Sequence, residues 1–161
     1  MAAISGYSWD GLPIAADEPR GATIVVRRPG RARGQPEYLV LHRAHHGPDF
    51  EGDWAWTPPA GSRQPGEAVL AAAVRELAEE SGLRPAPDRL RPLDLGGGWA
   101  QFCLDVLPGT QARLEDAEHD RFEWLPPVVA IARCQPDPVH YGIRLAESVL
   151  AARTARRPLV L

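Results

Sequence analysis

Three glutamates, Glu76, Glu79 and Glu80, lie within little more than one helical turn of each other and directly follow Arg75. The chemistry open to such a group is the holding of a hard divalent cation. Residues three and four apart on a helix are neighbours, so the carboxylates converge, and their repulsion is unfavourable unless a cation sits among them. Oxygen ligands of this kind suit magnesium or manganese. Arg75 stands one turn before Glu79, close enough to pair with it and fix its rotamer.

The spacing predicts the helix that must carry them. From about Gly66 to Ser81, the residues Leu70, Val74 and Leu77 recur at helical intervals and can lie on a core, with the glutamates projecting together from the opposite flank. Gly82 falls where a helix stop is expected, and Pro85 follows shortly after. Acidic triplets on helices are ordinarily solvated faces, so the glutamates alone do not decide the matter. The upstream residues do. Gly61 with Pro65-Gly66-Glu67 makes a tight loop that runs into the helix N-terminus, where free N–H groups and the positive end of the dipole favour an anion.

Together these residues form one ordered pattern from Gly61 to Leu83. It reads Gly61, Glu67, Arg75-Glu76-Leu77, Glu79-Glu80 and Gly82-Leu83. A chance match at all these positions in a chain of this length is expected roughly once in ten million.

Here the sequence resembles the Nudix hydrolase family, whose signature is this loop and helix. Looser likenesses flank it. Trp56-Thr57-Pro58-Pro59 is similar to a run found in Nudix enzymes that cleave diadenosine tetraphosphate, and Glu118-His119…Trp124-Leu125 resembles a later segment of the same enzymes. Those relatives commonly have a lysine before the signature glycine, whereas Ala60 stands here. The Trp-Thr-Pro-Pro likeness therefore does not settle the substrate.

The resemblance implies a fold, a reaction and a site. The fold is an α/β/α sandwich with a mixed central β-sheet, which element order alone does not select from other α+β layouts. The reaction is hydrolysis of a diphosphate linkage in a nucleoside diphosphate joined to another group: a dinucleoside polyphosphate, a nucleoside triphosphate or a nucleotide sugar. Mg2+ or Mn2+ would be held by Glu76 and Glu80, with Glu79 and the backbone carbonyl of Ala60 as further candidates. Such ions neutralise substrate charge, activate a water and stabilise the leaving group. Glu79 or Glu118 is the candidate base, and Glu115 and Asp116 compete with Glu118 as the late-loop carboxylate. The alternative is a catalytically silent nucleotide-binding or regulatory module, which usually shows gaps in the helix carboxylates. None is missing here. Isomerisation of a prenyl diphosphate would need a cysteine nucleophile and extra histidine ligands that nothing marks.

Substrate contacts are less defined. The chain has five tryptophans, of which Trp54, Trp56, Trp99 and Trp124 fall near predicted loop or strand ends, where a base could stack. Trp124 reads as a core or sheet-edge anchor; Trp99, His140 and Tyr141 stand between that role and a substrate role. Arg43, at the end of a predicted strand, and Arg63, in the signature loop, are the candidate phosphate contacts, because guanidinium meets phosphate bidentately. His45 and His46 read as part of a mobile loop.

The remaining elements are predicted from β-branched runs and breakers. Strands are expected at residues 22–27 and 38–42, paired with each other, and at 90–95, 99–107 and 121–125, with Gly96-Gly97-Gly98 permitting a reversal. Helices are expected from Pro126-Pro127 to about Cys134 and from Asp137 onward. The second carries Ile143, Leu145, Ala146 and Leu150 inward and ends in a basic stretch at 153–157.

Composition fits one domain over residues 1–161, with 1–18 a loosely ordered segment. The chain has 161 residues, 44% of them hydrophobic. A net charge of −3 gives no footprint for long nucleic acid, so a small anionic substrate is the better expectation. No basic leader followed by an apolar run opens the chain, and no stretch approaches the roughly 20 apolar residues that span a membrane, so a cytoplasmic location is expected. Cys103 and Cys134 read as buried free thiols. Apolar surface at the sheet ends leaves room for a homodimer.

Overall fold

The computed structural model describes residues 3–155, with side chains to 153. Arg156 and Arg157 of the expected basic stretch lie outside the described residues.

The β-branched run at 22–27 grows into β3 (Gly21–Pro29), which pairs antiparallel with β4 (Pro36–Arg43) through Arg27–Tyr38 and Pro29–Pro36. On its other side β3 runs parallel to β8 (Trp99–Asp105), aligning Gly21 with Trp99, Thr23 with Gln101 and Arg27 with Asp105. Strand β7 (Arg91–Asp94) pairs antiparallel with β8, after a reversal in which Gly97 takes φ 74°. Strands β5 (Trp56–Thr57) and β9 (His119–Leu125) both pair with β4, and β6 (Ala60–Ser62) pairs with β3. The sheet is therefore mixed, as the resemblance implied.

Period-two alternation splits the core into two layers. Ile24 and Val26 of β3, Leu39 and Leu41 of β4, and Phe102 and Leu104 of β8 share a cluster with Ala73 and Leu77 of α1 (Val69–Ser81). The intervening Val25, Tyr38, Val40 and Cys103 pack with Ala130 of α2 (Pro127–Arg133) and with Ile143 and Ala146 of α3 (Asp137–Ala155). One helix covers one face and two cover the other, giving the α/β/α sandwich. Both cysteines are buried and free. Leu145 and Leu150, expected to point inward, are only partly buried.

Two local differences matter for the site. Helix α1 begins at Val69 rather than near Gly66, because Gly66 takes a left-handed φ of 76° that a helix does not admit. Within residues 1–18, expected to be loosely ordered, β1 (Ile4–Tyr7) and β2 (Pro13–Ala15) form an antiparallel hairpin. The Ala15 N–H donates to the Arg63 carbonyl at 2.8 Å, which ties the hairpin to the signature loop. Among the described residues, no helix is long and apolar enough to cross a membrane.

Candidate active site

Helix α1 is built from strong helix formers and stops at Gly82, whose φ of 73° lets its N–H reach the Ala78 carbonyl at 3.0 Å. Its polar flank is divided rather than uniformly solvated. Glu80 is only 2% exposed and accepts the Ala60 N–H at 2.9 Å, whereas Glu79 is exposed. Glu76 lies between these extremes, its carboxyl against Gly61, where a Cβ would stand 1.9 Å from Glu76 Cδ. Gly61 is therefore required by the close approach of a carboxylate.

Arg75 does more than pair with Glu79, which is its longest contact at 3.4 Å. Its Nε and Nη2 donate to the two oxygens of Glu67, each at 2.9 Å. Its Nη1 donates to Glu76 at 2.8 Å and its Nη2 to the Ser62 carbonyl at 2.9 Å. One guanidinium thus clamps the loop onto the helix, and the Glu67 partnership raises its pKa further. Burial acts to raise the Glu67 pKa, but hydrogen bonds from Arg75 and the Gln64 N–H outweigh it and hold the carboxyl below its ordinary value.

The other carboxylates shift the opposite way. Burial pushes Glu76 up to about 7 despite the opposing Arg75 charge, and Glu79 and Glu118 push it further. Burial raises Glu80 well above the ordinary range, with Glu118 and Glu76 adding repulsion. Glu118, just before β9, is half-buried and also raised, chiefly by burial. A set of buried acids that raise one another's pKa is charge waiting for compensation.

Oxygens of Glu80 and Glu118 and a ring nitrogen of His119 all lie within 4.8 Å of one another. His119 is 4% exposed, neither ring nitrogen has a hydrogen-bond partner, and burial lowers its pKa to about 4. A neutral imidazole without a hydrogen-bond partner, its Nδ1 3.6 Å from an Asp116 oxygen and beside the two glutamates, fits a divalent cation. The sequence showed His119 beside Glu118 but gave it no role, and that adjacency was the available signal. Of the competing acids, Glu115 pairs with Arg84 at 3.2 Å outside the site, whereas Asp116 lines it.

A family model described as NUDIX domain matches residues 17–142, most of the chain. The chain belongs to the Nudix family. It is 28% identical over 132 residues to the human (Homo sapiens) 8-oxo-dGDP phosphatase NUDT18, covering 79% of this chain and 39% of that protein. It thus spans about two fifths of the length of this curated relative. Its fold is similar to that of a C. elegans Ap4A hydrolase in a binary complex, with TM-score 0.62, 23% identity, and coverage of 82% of this chain and 97% of that one. It is also similar to the NUDIX domain of Shewanella oneidensis NrtR complexed with ADP ribose, with TM-score 0.59, 20% identity, and coverage of 81% and 86%.

The Nudix signature opens into a cavity of about 770 Å³. Glu76, Glu79, Glu118, Arg75, Ala60, Arg43, Trp99 and Tyr141 all line it, so most of the sequence-predicted site shares one space. The Arg43 Nε is buried without a hydrogen-bond partner. Trp99 donates Nε1–H to Thr23 Oγ1 at 2.9 Å, and Tyr141 donates its hydroxyl to Asp94 at 2.8 Å.

Arg63 corrects the expectation of a phosphate contact. It is 5% exposed, and its guanidinium donates to the carbonyls of Pro19, Glu67 and Asp17 at 2.8 to 2.9 Å. With its N–H groups committed to backbone carbonyls and to the Asp17 carboxylate, it holds the signature loop to the preceding segment. Trp56 and Trp124 are anchors. Trp56 is buried and donates to Glu51 at 2.6 Å, and Trp124 packs beneath the Arg28 guanidinium at 4.2 Å. His140 is buried with Nδ1 at 2.7 Å from the Cys134 carbonyl.

Trp9 and Gln101 are among the cavity residues that carried no sequence assignment. Trp9, in the turn of the N-terminal hairpin and outside the matched segment, is 67% exposed, lines the cavity and acts to lower the Glu118 pKa. Gln101 lies on β8 and is buried. Its available signal was a lone polar residue inside the apolar run Ala100–Leu104.

Proposed function

We propose that this Nudix chain hydrolyses a diphosphate linkage in a nucleotide-like substrate with Mg2+ or Mn2+. The supporting observation is one cavity lined both by a carboxylate cluster and by Arg43, Trp99 and Tyr141. A substrate with a polyanionic centre and a planar base needs both kinds of surface in one place.

Glu76, Glu80 and Glu118, with the Ala60 carbonyl and His119 as further donors, would hold the divalent cation. When bound, the cation supplies charge neutralisation at the diphosphate and makes a water easier to deprotonate. The chain's own residues divide the remaining work. Arg43, the cavity guanidinium whose Nε lacks a protein partner, binds a phosphate oxygen. Glu79, the most accessible helix carboxylate, and Glu118, beside Glu80, are the two candidate groups to take a proton from the attacking water. Arg75 positions Glu76 through their direct hydrogen bond and orders the loop through Glu67.

Incubation with magnesium, a panel of dinucleoside polyphosphates, nucleotide sugars and nucleoside triphosphates, and oxygen-18 water tests the proposal. Turnover should be abolished by EDTA and reduced severely in Glu80→Gln, and the labelled product names the phosphorus attacked. Full activity of Glu80→Gln with unchanged metal binding sinks the assignment. Nucleotide-induced thermal shifts without turnover across the whole panel would instead favour a silent binding module.

A further inference from the structure

We propose that Gln101 reads the nucleobase, from a subsite in which Trp99 supplies the stacking surface. The inference rests on the nucleotide reading above and extends it to the base.

The argument begins with burial. Gln101 is 4% exposed yet lines the cavity, and its Oε1 is buried without a hydrogen-bond partner. A carboxamide has two acceptor sites and two N–H donors, and a buried polar group without partners carries a desolvation cost. Its O and N positions interchange by a half-turn of the terminal bond. The atom on the Gly142 side is shut off from solvent, so the other amide atom is the one a cavity ligand can meet, as a donor or, after the half-turn, as an acceptor.

Position supports the role. Residues two apart on a strand share a face, so Trp99 and Gln101 of β8 lie on the same side of the sheet. The Trp99 ring is fixed twice, by its hydrogen bond to Thr23 and by packing over Gly21, where a Cβ would stand 2.4 Å from Trp99 Cη2. It remains 38% exposed, so a fixed ring is presented to the cavity. Parallel pairing of β3 with β8 places Thr23 directly opposite Gln101.

Helix α3 supplies a second observation. Gly142 lies inside the helix, where glycine is about 1 kcal/mol less favourable than alanine. A Cβ there would stand 2.4 Å from Gln101 Oε1 and 2.7 Å from Val25 Cγ2. The absent methyl leaves the carboxamide its present place between helix and cavity.

Complementarity gives the ligand class. The one amide atom open to the cavity makes one hydrogen bond, and bases differ in the acceptor or donor they offer at a given point of the edge.

The test uses the full-length protein and calorimetric affinities for the α,β-methylene analogues of ADP, GDP, CDP and UDP, with methylenebisphosphonate as the probe without a base. In the unaltered protein, at least one nucleotide analogue should bind more tightly than methylenebisphosphonate, and the four should differ. Gln101→Met, close in volume, and Gln101→Asn, which draws the amide back one methylene, should each weaken the preferred analogue about tenfold. Methylenebisphosphonate affinity should stay constant. Equal affinities for the four bases in the unaltered protein overturn the proposal, as does an unchanged ranking in the two variants. Hydrolysis of the natural nucleotides by the same preparation decides the catalytic reading separately, because these analogues are not cleaved at the methylene bridge.

Discussion

The Ala60 N–H donates to Glu80 Oε2 at 2.9 Å, so the residue before the signature glycine is bonded directly to the last signature glutamate. This contact closes the signature on itself: strand β6 and the end of α1 meet at a carboxylate that burial holds well above its ordinary pKa.

Glu80→Gln retains an acceptor for Ala60 while removing the charge. Turnover should fall by roughly 10²-fold or more, the scale of removing one group that stabilises a transition state. The unfolding temperature without metal should be unchanged or higher, because the buried carboxyl no longer carries an ionisation that burial opposes. Glu80→Ala, by contrast, leaves the Ala60 N–H without this acceptor and should lower that temperature. Thermal melts with and without magnesium, alongside turnover, check both outcomes.

Arg75→Ala removes the cation between Glu67 and Glu76, whose side chains are 16% and 13% exposed. Breaking a buried pair while leaving its partners charged costs about 3–5 kcal/mol, and the partial exposure here points to the lower end. Arg75→Lys should recover only part, because an ammonium cannot span both Glu67 oxygens while reaching Ser62. Urea unfolding of both variants measures the difference.

In metal-free protein, Glu76 titrates at about 7 against an ordinary 4.5. Between those values the folded state holds a proton that the unfolded chain has lost, so stability falls as pH rises through the window. At about 1.4 kcal/mol per pH unit, the loss is on the order of 3 kcal/mol. EDTA-treated protein should melt lower at pH 7.5 than at pH 5, Glu76→Gln should flatten this dependence, and added magnesium should raise the melting temperature more at pH 7.5.

Gly61→Ala places a methyl where the Glu76 carboxyl now sits. The glutamate side chain can swing away, so the fold should survive while the carboxylate loses its position. Turnover and magnesium affinity should both drop roughly tenfold or more, with little change in metal-free stability. A large stability loss with unchanged metal affinity would show that backbone, rather than Glu76, gave way.

Local patterns were legible where one element carries its own signal. Helix α1, its stop at Gly82 and the paired strands β3 and β4 follow from periodicity and breakers, and the carboxylates from their spacing. The resemblance gave the sandwich. The division among the glutamates was not legible, because Glu80 is buried by β6 packing against the helix rather than by its place on the helical wheel. Gln101 meets Thr23 only through the parallel register of β3 and β8. Trp9 reaches the cavity through a hairpin of two short strands too weakly patterned to announce itself.

Arg63 tests the difference between a signature residue that holds the loop and one that holds substrate. Its guanidinium is paired with three backbone carbonyls and with the Asp17 carboxylate at 2.7 Å. Hydrogen bonds to a charged donor contribute about 1.5–3 kcal/mol each, although losses from one side chain do not add. Arg63→Ala should therefore lower the unfolding temperature clearly, whereas KM for any nucleotide turned over should stay within about twofold, since no phosphate contact is removed. Arg43→Ala should do the reverse, raising KM with little loss of stability. Steady-state kinetics taken well below both melting temperatures separates the two, and a raised KM in an Arg63→Ala protein of unchanged stability would restore Arg63 as a phosphate contact.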